Sequence, residues 1–202
     1  EVDETRFLAH IPPKTFFPQP RPSNLITVPC CQSCNVAAST DDEAFKAWFT
    51  MAVGASPAAT EANRGSTLAG VFQRSPAFTE HTISLIERGT IEYLDGPREM
   101  DGIVLPKPRF TRFMVRIVKG LLCYHEPGYD YSADSFIVKH LAIAQQNLDL
   151  LSPFQAQSSF DSRGDRVINY RRIVNHERGF GLWLITFFDS TNALVHHTNQ
   201  TG

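Results

Sequence analysis

The sequence lacks several features that would place it in an easily recognised class. No apolar run approaches the roughly 20 residues that a membrane-spanning helix needs, and the stretch Glu1 to Arg6 does not have the composition of a signal peptide. Four cysteines, two of which are adjacent, make a poor disulfide framework. We therefore expect a protein of a reducing, cytoplasmic compartment that has no membrane partner.

The chain also lacks an excess of positive charge. Its formal net charge is −2, so any contact with nucleic acid has to come from a local basic patch rather than from the whole molecule. With 42% hydrophobic and 20% charged residues, the 202-residue chain has the composition of a globular protein. That length is enough for one domain, or for two small domains, with a buried core.

Proline is concentrated near the N-terminus. Six of the 13 prolines lie in the stretch 10–29, and they predict a stiff, extended loop between two short apolar runs at 7–11 and 25–29, which we expect to be strands. A helix is predicted to begin at Thr40, because Thr40 and Glu43 have the spacing of a capping box. The residues that would form the buried face of this helix are Phe45, Trp48, Phe49 and Ala52.

The rest of the chain mixes helical and strand patterns, so the predicted fold class is α+β. We divide the chain into an N-terminal unit at 1–53 and an α+β region at 54–202, which has helices first and an antiparallel, β-rich part at its end. His196 and His197 are expected to lie in a solvated tail. Helices are predicted over 57–73, 77–87, 108–122 and 142–151, strands over 91–94, 103–105, 136–141, 166–174, 180–188 and 193–197, and a polar loop over 155–165.

The predicted helix at 108–122 has two contrasting faces. Its apolar residues form one stripe that we expect to be buried. Its basic residues are three and four positions apart and therefore project together, either as an ordinary solvated face or as a surface that binds nucleic-acid phosphates. These four residues are Arg109, Arg112, Arg116 and Lys119.

A motif of metal-site residue types lies ahead of that helix. In order along the chain it consists of His10, Asn24, Cys31, Cys34 and Asn35. A histidine, a central asparagine and a Cys-x-x-Cys-Asn at this spacing resemble the HNH nucleases, whose small ββα metal site hydrolyses phosphodiester bonds of nucleic acids. The resemblance implies that residues 1–53 form an HNH-like ββα unit.

The resemblance extends beyond the motif residues. The strings His-Ile-Pro-Pro-Lys and Leu-Ile-Thr-Val-Pro are similar to those of a group of bacterial and phage HNH-like proteins. Proteins of this group also tend to have a later helix with Arg-Ile-Val-Lys-Gly-Leu, as at Arg116 to Leu121, followed by a histidine such as His125. They end in an aromatic β segment, to which Trp183 to Phe188 is similar.

The resemblance implies a role for each motif residue. His10 would be the general base, with an ordinary imidazole pKa near 6.5. Asn24 would shape the loop and brace the histidine. Asn35 would be a ligand of the catalytic ion, a divalent metal such as Mg²⁺ or Mn²⁺. The implied substrate is a nucleic acid, DNA in the first place.

Two departures from the family pattern leave alternatives open. Ala9 stands where members usually have an acidic metal ligand, so either Asp41 or Asp42 replaces it, or these two residues only favour the start of a helix. Cys31 and Cys34 should lie within thiolate reach of each other, but they supply only half of a structural zinc site. Either a second cysteine pair lies upstream of Glu1 or the zinc has been lost.

Three hypotheses therefore follow from the sequence. The first is a metal-dependent HNH-like nuclease. The second is a catalytically degenerate HNH scaffold that binds nucleic acid or protein, which Ala9 and the acidic net charge favour. The third is a structural domain without zinc.

Overall fold

A computed structural model describes residues 7–52, 55–64, 68–93, 96–141, 154, 157–164, 166–175 and 177–199. Helices and strands occur in separate runs along these residues, with four consecutive helices in the first half and five consecutive strands at the end, which confirms the α+β fold class. The helices are α1 (Gln32–Thr50), α2 (Pro57–Arg64), α3 (Leu68–Arg74), α4 (Pro76–Ser84) and α5 (Lys107–His125), with a short 3₁₀ helix at Lys14–Phe16. The strands are β1 (Phe7–Ile11), β2 (Ile26–Cys30), β3 (Ile86–Tyr93), β4 (Gly96–Ile103), β5 (Asp134–Leu141), β6 (Ser159–Arg163), β7 (Ile168–Asn175), β8 (Phe180–Phe187) and β9 (Thr191–Asn199).

The strands form three antiparallel sheets. β1 pairs with β2, and β3 pairs with β4. The remaining strands form a five-stranded sheet in the order β5-β9-β8-β7-β6. The C-terminal antiparallel β-rich part is therefore present as predicted, and β6 and β5 form its two edges.

One hydrophobic core joins the N-terminal strands to this sheet. The apolar stripe of α5 is buried, as the sequence predicts, and Phe113 lies at its centre. The ring of Phe113 is 4.5 Å from that of Phe45 on α1, 5.9 Å from that of Phe16 in the 3₁₀ helix, and 5.9 Å from that of Phe187 on β8. Helix α5 thus packs against α1, both N-terminal strands and the five-stranded sheet.

Helix α1 begins at Gln32, eight residues before the predicted start at Thr40. Cys31 caps the helix, because its Sγ accepts a hydrogen bond from the backbone N–H of Cys34 at 3.1 Å. The Thr40 capping pattern therefore lies in the interior of α1 and does not mark a helix terminus. Helix caps usually have an oxygen-bearing side chain, so the sequence pattern does not point to the sulfur of Cys31.

Other boundaries also differ from the prediction. The segment 57–73 contains two helices, α2 and α3. The strand predicted at 103–105 overlaps the observed strand β4 only at Ile103, where β4 ends. The predicted polar loop 155–165 includes β6, whose polar residues suit an edge strand. The helix predicted at 142–151 lies outside the described residues.

The expectation of a solvated histidine tail is wrong. His196 and His197 lie in β9, and the side chain of His197 is 1% exposed. Its Nδ1 accepts a hydrogen bond from the indole N–H of Trp183 at 3.1 Å. The segment is an alternating strand whose histidine is a core residue.

Among the helices that the structure describes, none combines the length and the apolar character that crossing a bilayer requires.

Candidate functional site

The first two strands and the first helix are consecutive and closely connected. β1 and β2 form an antiparallel pair joined by the proline-rich loop, and β2 ends at Cys30, two residues before α1 begins. His10 lies on β1 opposite Thr27 on β2. The chain order is therefore strand, strand, helix, with the candidate histidine on the first strand.

The imidazole of His10 is half-buried on this strand pair. Its Nδ1 is 3.3 Å from the hydroxyl oxygen of Thr27. Partial burial lowers the pKa of His10 below its usual value of 6.5, and the positive charges of Lys14 and Arg21 lower that pKa further. The expectation of an unshifted pKa is wrong, but the direction of the shift keeps the ring neutral and able to accept a proton at neutral pH.

Ala9 lies on the opposite face of β1 from His10. It is opposite Val28 of β2 and packs against the hydrophobic core. Adjacent residues of a strand point to opposite faces, so a carboxylate introduced at position 9 would point to the core rather than share the face of His10.

The two asparagines of the motif are both exposed. Asn24 lies in the turn before β2, and Asn35 lies in the first turn of α1, where its N–H donates to the carbonyl oxygen of Cys31 at 3.1 Å. In the part of the chain that the structure covers, the hydrogen-bond partner of the His10 ring is Thr27 and not Asn24. Sequence reasoning missed Thr27 because only the strand register identifies it.

Cys31 and Cys34 lie at the turn into α1, within the short reach that their spacing predicts. Their Cα atoms are 5.3 Å apart and their sulfur atoms are joined in a disulfide. Cys30 and Cys123 are free. Within the described residues there is no group of three or more histidine, cysteine, aspartate or glutamate side chains arranged to hold a metal.

The basic stripe of α5 is largely an interface with α1. Arg109 donates to a carboxylate oxygen of Asp41 at 2.5 Å and to the carbonyl oxygen of Thr40 at 3.0 Å, and Arg116 donates to both carboxylate oxygens of Asp42. The prediction that these arginines face solvent is wrong, because their side chains are only 18% and 29% exposed. Burial raises the pKa of Asp42, and Arg116 opposes that shift.

Arg112 and Lys119, the other two residues of the stripe, differ in their exposure to solvent. The side chain of Arg112 is 66% exposed, and its guanidinium is 3.8 Å from Asp41. Lys119 is half-buried, and its ammonium lies 5.7 Å from the ring centre of Tyr131 and 5.4 Å from that of Phe136. Of the four cations that were predicted to form an exposed face of α5, Arg112 alone is well exposed. Asp41 and Asp42 are engaged by arginines and are not arranged as replacements for an acidic ligand at position 9.

A second polar cluster lies at the C-terminal end of α5. His125 Nε2 is 2.7 Å from the hydroxyl of Tyr170, which donates to Asp161 at 2.9 Å, and Glu126 pairs with Arg172. Burial raises the pKa of Tyr170 and lowers that of His125. These bonds tie the end of α5 to β6 and β7, so the cluster has a clear structural role.

Comparison with known proteins adds no relative: no family model, no curated protein and no solved structure matches this chain.

Proposed function

We propose that the chain is an HNH-like, metal-dependent nuclease that hydrolyses phosphodiester bonds of nucleic acid, DNA in the first place. The observation that carries the proposal is the order β1-β2-α1, with His10 on β1 and Asn35 in the first turn of α1. This order agrees with the ββα unit that the motif implies for residues 1–53. The residue strings of 10–35 support the same assignment.

The proposed chemistry uses the neutral state of His10. Its imidazole takes a proton from a water molecule as that water attacks phosphorus, and the bond from phosphorus to the leaving oxygen breaks. A divalent ion such as Mg²⁺ or Mn²⁺, with Asn35 among its ligands, would stabilise negative charge on the phosphate and on the leaving oxygen. Thr27 is placed to orient the ring through Nδ1.

The cysteine pair has a separate, structural part in the proposal. Reduced to thiolates, Cys31 and Cys34 would provide two of the four ligands of a tetrahedral zinc at the start of α1. A longer chain that carries a second cysteine pair would complete that site. Zinc content near one ion per chain, measured by elemental analysis of reduced full-length protein, is the expected result, and zinc-free protein would leave Cys31 with its capping role only.

A second candidate is a catalytically degenerate scaffold that binds nucleic acid or protein. Ala9 favours this candidate, because its side chain packs against the core and the two acids considered as replacements, Asp41 and Asp42, are paired with arginines of α5. The two candidates differ in whether phosphodiester bonds are broken.

A plasmid-nicking assay separates the two candidates. Full-length protein is incubated with supercoiled plasmid and Mg²⁺, Mn²⁺, Ni²⁺ or Zn²⁺, and a parallel reaction contains EDTA. The nuclease proposal predicts relaxed plasmid with at least one ion and none with EDTA. His196→Ala, which removes a histidine from β9 of the five-stranded sheet, should nick like the wild type. Binding without nicking under every ion would favour the degenerate scaffold.

A further inference from the structure

We propose that the disulfide between Cys31 and Cys34 is a thiol–disulfide exchange site, which low-molecular-weight thiols reduce and the corresponding small disulfides re-form. The exchange itself needs neither a metal nor a nucleic acid. Its consequence rests on the proposed function, because the same two sulfurs can bind zinc only after the disulfide has been reduced.

The accessibility of the cysteine pair is the first argument. Both cysteines are exposed, and so are all residues from 31 to 37, which form the turn into α1 and the start of that helix. The first buried residue of α1 is Ala38. A small thiolate from solvent can therefore reach the disulfide without any opening of the hydrophobic core.

The disulfide is poorly placed to stabilise the fold. It joins cysteines that are three positions apart, and a cross-link that closes a short loop removes less entropy from the unfolded chain than one that closes a long loop. The core residues Phe45 and Trp48 of α1 lie about three helical turns or more after Cys34. A stabilising cross-link is therefore a weak explanation of this disulfide.

The local geometry keeps the two cysteines in position for the bond to re-form after reduction. The backbone N–H of Cys34 donates to Sγ of Cys31 at 3.1 Å. The sulfur of a reduced Cys31 can accept the same hydrogen bond, so the cap of α1 does not depend on the disulfide. The Cα atoms of the pair are 5.3 Å apart, within the range that disulfides require. Both redox states are therefore compatible with the same start of α1.

The exchange proceeds in two steps whose atoms and electrons balance. The thiolate of a small thiol attacks one sulfur of the pair, the bond between Cys31 and Cys34 breaks, and the released sulfur takes up a proton. A second small thiolate then attacks the external sulfur of the mixed disulfide, and the remaining cysteine leaves and is protonated. The protein disulfide gains two electrons, and two small thiols, which supply both protons, are oxidised to one small disulfide.

The test equilibrates the chain with mixtures of reduced and oxidised glutathione in the presence of EDTA. The reaction is quenched with acid, free thiols are alkylated in denaturant, and mass spectrometry of peptides gives the state of each cysteine. We expect Cys31 and Cys34 to change together from disulfide to dithiol as the share of reduced glutathione rises, and to return when the ratio is reversed. Cys30 and Cys123, which are free and half-buried, are internal references that should remain thiols.

Single-cysteine variants separate this exchange from unspecific modification of thiols. In Cys31→Ser and Cys34→Ser the remaining cysteine of the pair cannot re-form the disulfide. It should instead accumulate a mixed disulfide with glutathione, about tenfold more than Cys30 or Cys123 of the same chain. Cys30→Ser, which removes the adjacent cysteine, is the matched control and should titrate like the wild type. Circular dichroism checks that each variant is folded.

Each outcome supports or overturns the exchange site. A pair that stays oxidised in the most reducing mixture is a structural disulfide and overturns the proposal, and so does a pair that stays reduced in the most oxidising mixture. Modification of Cys30 as extensive as that of the pair would also contradict it. Reversible exchange without plasmid nicking would support the exchange site and contradict the nuclease, whereas nicking without exchange would do the opposite. The wild-type titration decides the test if a serine variant does not fold.

Discussion

The two basic clusters of this protein differ in what surrounds them. The stripe of α5 is evident in the sequence, but Arg109 and Arg116 are used to hold α1 through Asp41 and Asp42. Lys14 and Arg21 do not stand out in the sequence by their number or their spacing. Both are nevertheless exposed, neither takes part in a salt bridge within the described residues, and both lower the pKa of His10. Helical spacing shows which cations project together, and only the facing element shows whether their charge is available.

Two adjacent acids of α1 explain two wrong predictions. One is the helix start at Thr40, and the other is the exposure of Arg109 and Arg116 to solvent. Asp41 and Asp42 suggested a helix start because acidic residues favour the positive end of a helix. They lie in the middle of α1, where their function is to pair with α5. Recognising that pairing from sequence would have required knowing that α1 and α5 pack against each other.

The largest effect on stability is expected where α5 supports the strand pair that carries His10. A Cβ atom at Gly120 would lie 2.4 Å from Cδ1 of Ile11, which is 3% exposed. Gly120→Val should therefore lower the free energy of unfolding by about 1–3 kcal/mol through overpacking, as measured by urea denaturation.

A double variant checks the cause of that loss. Gly120→Val combined with Ile11→Ala should be more stable than the sum of the two single effects predicts, with a coupling of about 0.5–3 kcal/mol. Additive effects would mean that Gly120 and Ile11 do not share the space that the structure assigns to them.

The ion pairs of the α5 stripe should show a smaller effect on stability. Arg116→Gln leaves the carboxylate of Asp42, which is 14% exposed, without its charged partner. We expect a loss of about 1–2 kcal/mol in the free energy of unfolding at neutral pH, after allowance for the partial exposure of the pair. Arg112→Gln, at an exposed site, should change stability by less than about 0.5 kcal/mol. Equal losses would contradict the distinction between interface and exposed cations.

The effect of Arg116→Gln should depend on pH in a definite direction. Without Arg116, burial raises the pKa of Asp42 in the folded state with less opposition. A raised carboxyl pKa stabilises the fold below the unfolded value near 3.9 and loses that contribution as pH rises through the folded value. The deficit of the variant should thus grow from acidic to neutral pH, and a constant deficit would show that the charge of Asp42 is not its cause.

The smallest expected effect is a change in the titration of His10. Burial and the charges of Lys14 and Arg21 lower its pKa, so Lys14→Gln and Arg21→Gln should each raise that pKa toward the ordinary value. Burial is the largest cause of the lowered pKa and is unchanged in both variants, so each variant should reverse only part of the shift. The titration can be followed by NMR of the imidazole ring protons, with Arg112→Gln as the control. An identical pKa in all variants would show that the charges of Lys14 and Arg21 do not act on the imidazole of His10.

Much of the fold could be predicted because its elements carry strong local patterns. α5 has a continuous apolar stripe, and β7, β8 and β9 have apolar residues with turns between them. β6 was missed because an edge strand needs little hydrophobicity and depends on pairing with β7. The early start of α1 was missed because its cap is a cysteine sulfur.

The candidate site could be predicted only in part. The sequence places His10 on a strand and brings Cys31 close to Cys34, and the structure agrees with both. It does not reveal the contact of His10 with Thr27, which follows from strand register, or the fold of the loop that brings Arg21 to Lys14. These features depend on residues that are distant in sequence and have no periodic pattern.

The most direct test of the account is the cleavage rate of His10→Ala under single-turnover conditions, with the metal ion that supports nicking by the wild type. We predict a rate about 10²–10⁴-fold lower, with the folded state retained and DNA affinity in EDTA close to that of the wild type. His196→Ala should keep the wild-type rate. Cleavage by His10→Ala at the wild-type rate would contradict the central claim that the imidazole on β1 is the general base.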